Sequence, residues 1–177
     1  MILSNFKFHI SNSWLRQAGF TYIELILYIA IVSMMLVTLI PFAWNIIEGG
    51  AKSATEQEVF GNARYIGERI QYEIRNASSI STMSATSVTL IASGSANPTI
   101  IDLSSGNIRI KQGVAAATNL NSVDTTIPSL VFTNYTSTDT KTKHIGYAFT
   151  ITDAFSSTRH EFTESTSIEG SAELRSN

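Results

Sequence analysis

The sequence contains no cysteine. That excludes a disulfide framework, a thiol nucleophile, a C-x-x-C metal site and the acceptor of a lipoprotein anchor. It leaves the compartment open, because many extracytoplasmic proteins manage without disulfides. Charge is scarce, at 15% of residues, and the formal net charge is −2. No clustered basic face is present, so nothing points to a nucleic-acid partner. No G-x-S-x-G elbow and no phosphate-binding loop occurs. His160-Glu161 begins like the zinc-protease H-E-x-x-H, but position 164 is Glu, not His. Asp124, Asp139 and Asp153 are scattered along polar stretches without the ligand spacing of a calcium loop. Asn76-Ala77-Ser78 and Asn134-Tyr135-Thr136 match a glycosylation sequon too short to carry weight. No metal, no cofactor and no catalytic constellation is expected.

What is present is uneven. Residues 1–19 are polar and mildly basic, residues 20–47 are apolar, residues 51–79 are charged, and the remainder is rich in Ser and Thr. No charged residue occurs from Leu25 to Ile47. A bilayer core needs about 20 apolar residues as helix, and a buried core helix of this length would normally show a polar stripe that is missing here. Lys7 and Arg16 precede the segment and Glu48 follows it. The positive-inside bias puts the N-terminus in the cytoplasm and residues 50–177 outside. The stretch exceeds the roughly 7–15 residues of a cleaved secretory h-region. It also lacks a small-x-small cleavage site: Ala43 has Pro41 at minus three, and Trp44 would become the new N-terminus. A plain single-span anchor explains the span and its orientation. It does not explain Glu24. A carboxylate costs about 2.5–3.5 kcal/mol at the bilayer centre and less near the edge. Glu24 lies only about 6 Å along a helix from Phe20, so it can reach the headgroups, and the cost alone decides nothing.

The flanking residues do more. Ala18-Gly19-Phe20-Thr21-Tyr22-Ile23-Glu24-Leu25, followed by an uncharged helix, resembles the type IV prepilin signature. Gly19, Phe20, Thr21, Ile23 and Glu24 match it; Tyr22 stands where an aliphatic residue is commoner. Pro41 also resembles many members of that family. The resemblance covers about residues 16–44 and implies a set of roles. A prepilin peptidase in the inner membrane would cut between Gly19 and Phe20 on the cytoplasmic face and methylate the Phe20 amine. Residues 1–19 would be a discarded leader. In a filament, Glu24 of a subunit already in place would pair with the Phe20 amine of the incoming one, and Glu24 with Thr21 would set the register. The implied partners are other pilin or pseudopilin subunits, the peptidase, the inner membrane and an assembly platform protein. The implied location is the inner membrane, and then a periplasmic or cell-surface filament.

Past the apolar segment, residues 48–79 read as the amphipathic half of the same helix. Val59, Ala63, Ile66, Ile70, Ile74 and Ala77 form one apolar face, while Arg64, Glu68, Arg69 and Glu73 read as a solvated face. The whole helix would have about 58 residues, with weak points at Pro41, which should kink it, and at Gly49-Gly50. Residues 62–77 are similar to the same region of minor pseudopilins of the J type and minor pilins of the W type. The absence of cysteine weakens the case for disulfide-closed major pilins, and Glu24 argues against the tip pseudopilin type that lacks it.

Residues 80–177 read as a β-rich globular domain. Ser87–Ala92 reads as a strand, Gly94–Pro98 as a turn, and Thr99–Leu103 with Ile108–Lys111 as a hairpin around Ser105-Gly106-Asn107. Gly113–Pro128 reads as a long loop. Leu130–Tyr135 and Ile145–Thr152 read as a second hairpin, with His144 near its turn, and 159–163 as a last strand. From Ser165 the tail reads as polar and frayed. The expected fold is α+β, a long N-terminal helix packed on an antiparallel sheet. The expected function is that of a polymerising filament subunit rather than an enzyme. The competing reading is a single-span anchored binding or adhesion domain with an accidental motif.

Overall fold

A computed structural model of the chain describes residues 19–137, 142–154 and 163–175. The fold is α+β. Helix α1, Tyr22–Asn76, is followed by β1 (Ser79–Met83), β2 (Ser87–Ile91), β3 (Thr99–Ser104), β4 (Asn107–Gln112), β5 (Thr118–Asn119), β6 (Thr125–Asn134), β7 (His144–Asp153) and β8 (Ser165–Glu173). The chain divides into two compact units between Trp44 and Asn45. In the first, the described residues from Tyr22 onward are all helical and none is buried.

The second unit holds the core. Val59, Ala63, Ile66, Ile70 and Ile74 form the buried stripe of α1, as the spacing of four, three, four and four requires of one helix face. Strands of two antiparallel sheets complete it: a five-stranded sheet in the order β1-β2-β3-β4-β5 and a three-stranded sheet in the order β6-β7-β8. Their inward residues alternate with outward ones, as in Ile145, Tyr147, Phe149 and Ile151 of β7. The turns of the first sheet rest on β6: Phe132 N donates to Ala85 O at 2.8 Å and Ile127 N to Gly106 O at 2.9 Å. The β3–β4 hairpin closes through Ser105 (φ 51°) and Gly106 (φ 74°). Both positions are left-handed, which suits a two-residue turn whose twist matches the strands.

Several expectations are corrected. The helix stops at Asn76 and Ser79 already begins β1, which Ser-Ile-Ser-Thr-Met does not announce because only Ile80 and Met83 in it are apolar. The stretch read as a loop to Pro128 contains β5 and the start of β6. Pro128 misled because proline breaks ladders, but it sits where the β6–β7 register shifts between Thr126 and Ser129, an irregularity at which a missing N–H is tolerated. The tail read as frayed is β8, paired with β7 from Thr152↔Ser165 to His144↔Glu173. The strand expected at 159–163 lies, apart from Thr163, outside the described residues.

Glu73 was also misplaced. It is buried, not solvated. Arg69 Nη2 lies 2.6 Å from Glu73 Oε1, and Gln112 Nε2 donates to the same oxygen at 3.0 Å. Arg69 in turn covers the Tyr72 ring, 5.5 Å from its centroid. Burial of a carboxylate is tolerated when it is paired and hydrogen-bonded. Arg64 and Glu68 do stand exposed, as expected, and form an i,i+4 pair at 2.8 Å.

Asn121 organises the segment between β5 and β6. Its Nδ2 donates to Asn107 Oδ1 at 3.0 Å and to Thr125 O at 2.9 Å, and its Oδ1 accepts from Ile108 N at 3.2 Å. Beside it, Ser122 is tied to α1: Ser122 N donates to Asn62 Oδ1 at 3.0 Å and Ser122 Oγ to Glu58 Oε1 at 2.8 Å. Replacing Asn121 by alanine strands two buried backbone groups, at about 1–3 kcal/mol each. We expect Asn121→Ala to lower the denaturation midpoint of the full chain in detergent by an amount equivalent to about 2–3 kcal/mol; an unchanged midpoint would contradict this role.

Candidate functional site

The candidate site is the start of α1. Gly19, Phe20 and Thr21 precede the first helical residue, Tyr22. Thr21 is the N-cap. Its carbonyl accepts from Glu24 N and Leu25 N, both at 3.1 Å, and its Oγ1 lies 3.4 Å from Glu24 N. A threonine oxygen at this position satisfies one of the free N–H groups of the first turn. Glu24, three residues on, completes the Thr-x-x-Glu spacing of a capping box and places its charge at the positive end of the helix dipole, where an anion gains about 0.3–1 kcal/mol. The Thr-x-x-Glu spacing that signals it is present in the sequence itself. It gives Thr21 and Glu24 a local role beside any role between subunits.

Gly19 has no such local explanation. A Cβ built on it would meet nothing within 4 Å among the described residues. No contact among the described residues calls for glycine there. Phe20 is 81% exposed, and no ion pair to Glu24 occurs within the chain among the described residues.

From Tyr22 to Ile47 the helix presents large apolar side chains outward, including Met34, Val37, Leu39, Phe42 and Ile47. Among the described residues there is one helix long and apolar enough to cross a membrane, and it lies near the N-terminus. Thr38 turns its hydroxyl back onto Met35 O at 2.9 Å, which hides its polarity inside the helix. Pro41, Gly49 and Gly50 are all helical residues of α1. Pro41 has no N–H to donate to the preceding turn, and a Cβ on Gly49 or Gly50 would meet nothing. Each glycine therefore costs helix stability, about 1 kcal/mol relative to alanine, with no packing reason among the described residues.

Among the described residues no group of three His, Cys, Asp or Glu could hold a metal ion. Asp139, His160 and Glu161 lie outside the described residues. The Asp153 side chain serves a strand end, its Oδ1 accepting from Glu164 N at 3.0 Å, while Asp124 contributes its backbone carbonyl, which accepts from Ala154 N at 2.8 Å. His144 opens β7 and tilts against Tyr135, ring centroids 6.3 Å apart.

No family model, curated protein or solved structure matches the chain. One long N-terminal helix, apolar and exposed at its start and packed on antiparallel sheet in its later turns, is a pilin-like architecture, and it is the coarsest description that the fold and the site define.

Proposed function

We propose that this chain is a subunit of a type IV pilus or of a type II secretion pseudopilus. It is made with a leader, residues 1–19, and held in the bacterial inner membrane by residues 20–47 with the β-rich domain outside the cytoplasm. A prepilin peptidase cuts after Gly19 and methylates Phe20. The processed subunit then polymerises through α1, with help from an assembly platform protein. It acts by assembly, not by catalysis.

The observation that carries the reading is the pairing of two features at one helix start. A glycine that meets no side chain among the described residues stands before an exposed phenylalanine, and a single carboxylate stands four residues on, ahead of a helix whose described residues to Ile47 include no buried one. The helix's apolar surface is far larger than the few hundred Å² a soluble monomer normally exposes. A bilayer can cover it before assembly and neighbouring helices afterwards. The Phe20 amine and Glu24 would each be costly alone in such an apolar surrounding and less so as a pair.

The test is to express the full chain with a pilus or pseudopilus assembly system and shear the cells. We expect the chain in the sheared filament fraction, beginning at Phe20. A chain that stays wholly with the membrane fraction while the system's own major subunit is sheared off would favour an anchored domain.

A further inference from the structure

Strand β8 ends its sheet with an open edge. Among the described residues it pairs with β7 alone, in a register that runs through nine residues without a shift. No backbone hydrogen bond reaches its other edge among the described residues. The edges of the other sheet are defended. The β1 register shifts between Ile80 and Thr82, and β5 has only two residues; bulges and short strands are the usual devices against edge-to-edge pairing. In contrast, β8 has neither device, nor proline, nor lysine. Its outward residues are Ser165, Ser167, Glu169, Ser171 and Glu173, all exposed, and neither glutamate forms an ion pair among the described residues. Inward, Ile168 is only partly buried against the core.

We propose that the β8 edge takes an extended, basic strand from a different protein chain, adding a fourth strand to the sheet. Charge selects the occupant. A second copy of β8 pairing antiparallel over all nine residues would set Glu169 directly against Glu169, and like charges directly opposed in a ladder repel. A foreign antiparallel strand with Lys or Arg opposite Glu169 and Glu173 meets the opposite situation. Those basic positions are four residues apart and on the outer face. The alternate, inner positions would be apolar, so that one of them covers Ile168. Backbone hydrogen bonds supply affinity in such strand addition, and the alternating side chains supply selectivity. The surface does not involve the start of α1, so this site stands or falls separately from filament assembly.

The test uses the full chain in detergent and two nine-residue probe peptides of alternating valine and polar residues. One carries lysine at its first and fifth positions, facing Glu173 and Glu169; the other carries glutamate there. We expect the lysine peptide to bind about tenfold more tightly than the glutamate peptide and to slow amide hydrogen exchange in β8. The Glu169→Lys/Glu173→Lys variant should reverse the preference. The proposal is overturned if both peptides bind alike, if neither binds, or if binding leaves β8 exchange unchanged. It is also overturned if β8 becomes protected with rising protein concentration and no peptide, which would make the occupant a second copy.

Discussion

Replacing Glu24 by glutamine is expected to leave the protein cleaved and inserted in the membrane but to reduce its incorporation into filaments at least about tenfold, the effect of losing roughly 1.4 kcal/mol or more of docking energy. Two roles compete for Glu24. It has no ion-pair partner in its own chain among the described residues, while its local contribution is that of a helix-capping acid. The two roles separate by substitution. Glutamine keeps the Thr-x-x-Gln capping box and loses only the charge. Valine loses both. If the carboxylate serves the Phe20 amine of another subunit, Glu24→Gln and Glu24→Val are both severe, because the amine is left unpaired in an apolar surrounding. If it serves only the helix, glutamine behaves as wild type and valine costs under about 1 kcal/mol. Filament yield after shearing, normalised to the processed pool in the membrane, distinguishes them. Normal yield for the glutamine variant would remove the docking role.

The second large effect concerns Gly170. It lies opposite Tyr147 in the β7–β8 ladder, and a Cβ on it would stand 2.5 Å from the Tyr147 Cζ. The ring has little freedom to yield. Its hydroxyl donates to Gly67 O at 3.1 Å, on α1, and its face stacks on Phe149 with centroids 6.3 Å apart. We expect Gly170→Val to cost about 3 kcal/mol or more, at the upper end for an overpacked core, which is a large share of a domain's stability. Chemical denaturation of the full chain in detergent measures it. Removing the ring should relieve the clash, so that Gly170→Val costs far less in a Tyr147→Ala background than in wild type. Equal costs in both backgrounds would refute the contact. Burial pushes the Tyr147 phenol above its ordinary value, against opposing effects of hydrogen bonding with Gln71 and the charge of Arg75. A raised folded-state value means that stability is fully present below about pH 10 and is lost as the pH rises beyond it.

The parts of this fold that could be read from the chain are those with a strong period. The stripe from Val59 to Ile74 is buried as spaced, and the alternation of β3, β4 and β7 appears in place. The parts that could not be read are those whose burial comes from a neighbour. Gly170 carries no hydrophobic signal, yet it faces the core because Tyr147 fills its space. Asn121 looks like a loop residue and is buried because four polar groups converge on it. Glu73 sits one residue from a core isoleucine and is drawn inside by Arg69 and Gln112. At the candidate site the residues were legible from the motif alone. Their geometry adds that Thr21 caps the helix and that a side chain at Gly19 would meet nothing among the described residues.

Processing at Gly19 is open to one direct measurement. The full chain and a Gly19→Ala variant are each co-expressed with an active prepilin peptidase, and the intact mass and N-terminal peptide are determined. The account predicts loss of residues 1–19, with a methyl group on the Phe20 amine, in the parent chain and an uncut variant. A parent chain that still begins at Met1 beside an active peptidase would contradict it, and would leave an anchored domain whose activity must be sought in residues 80–177.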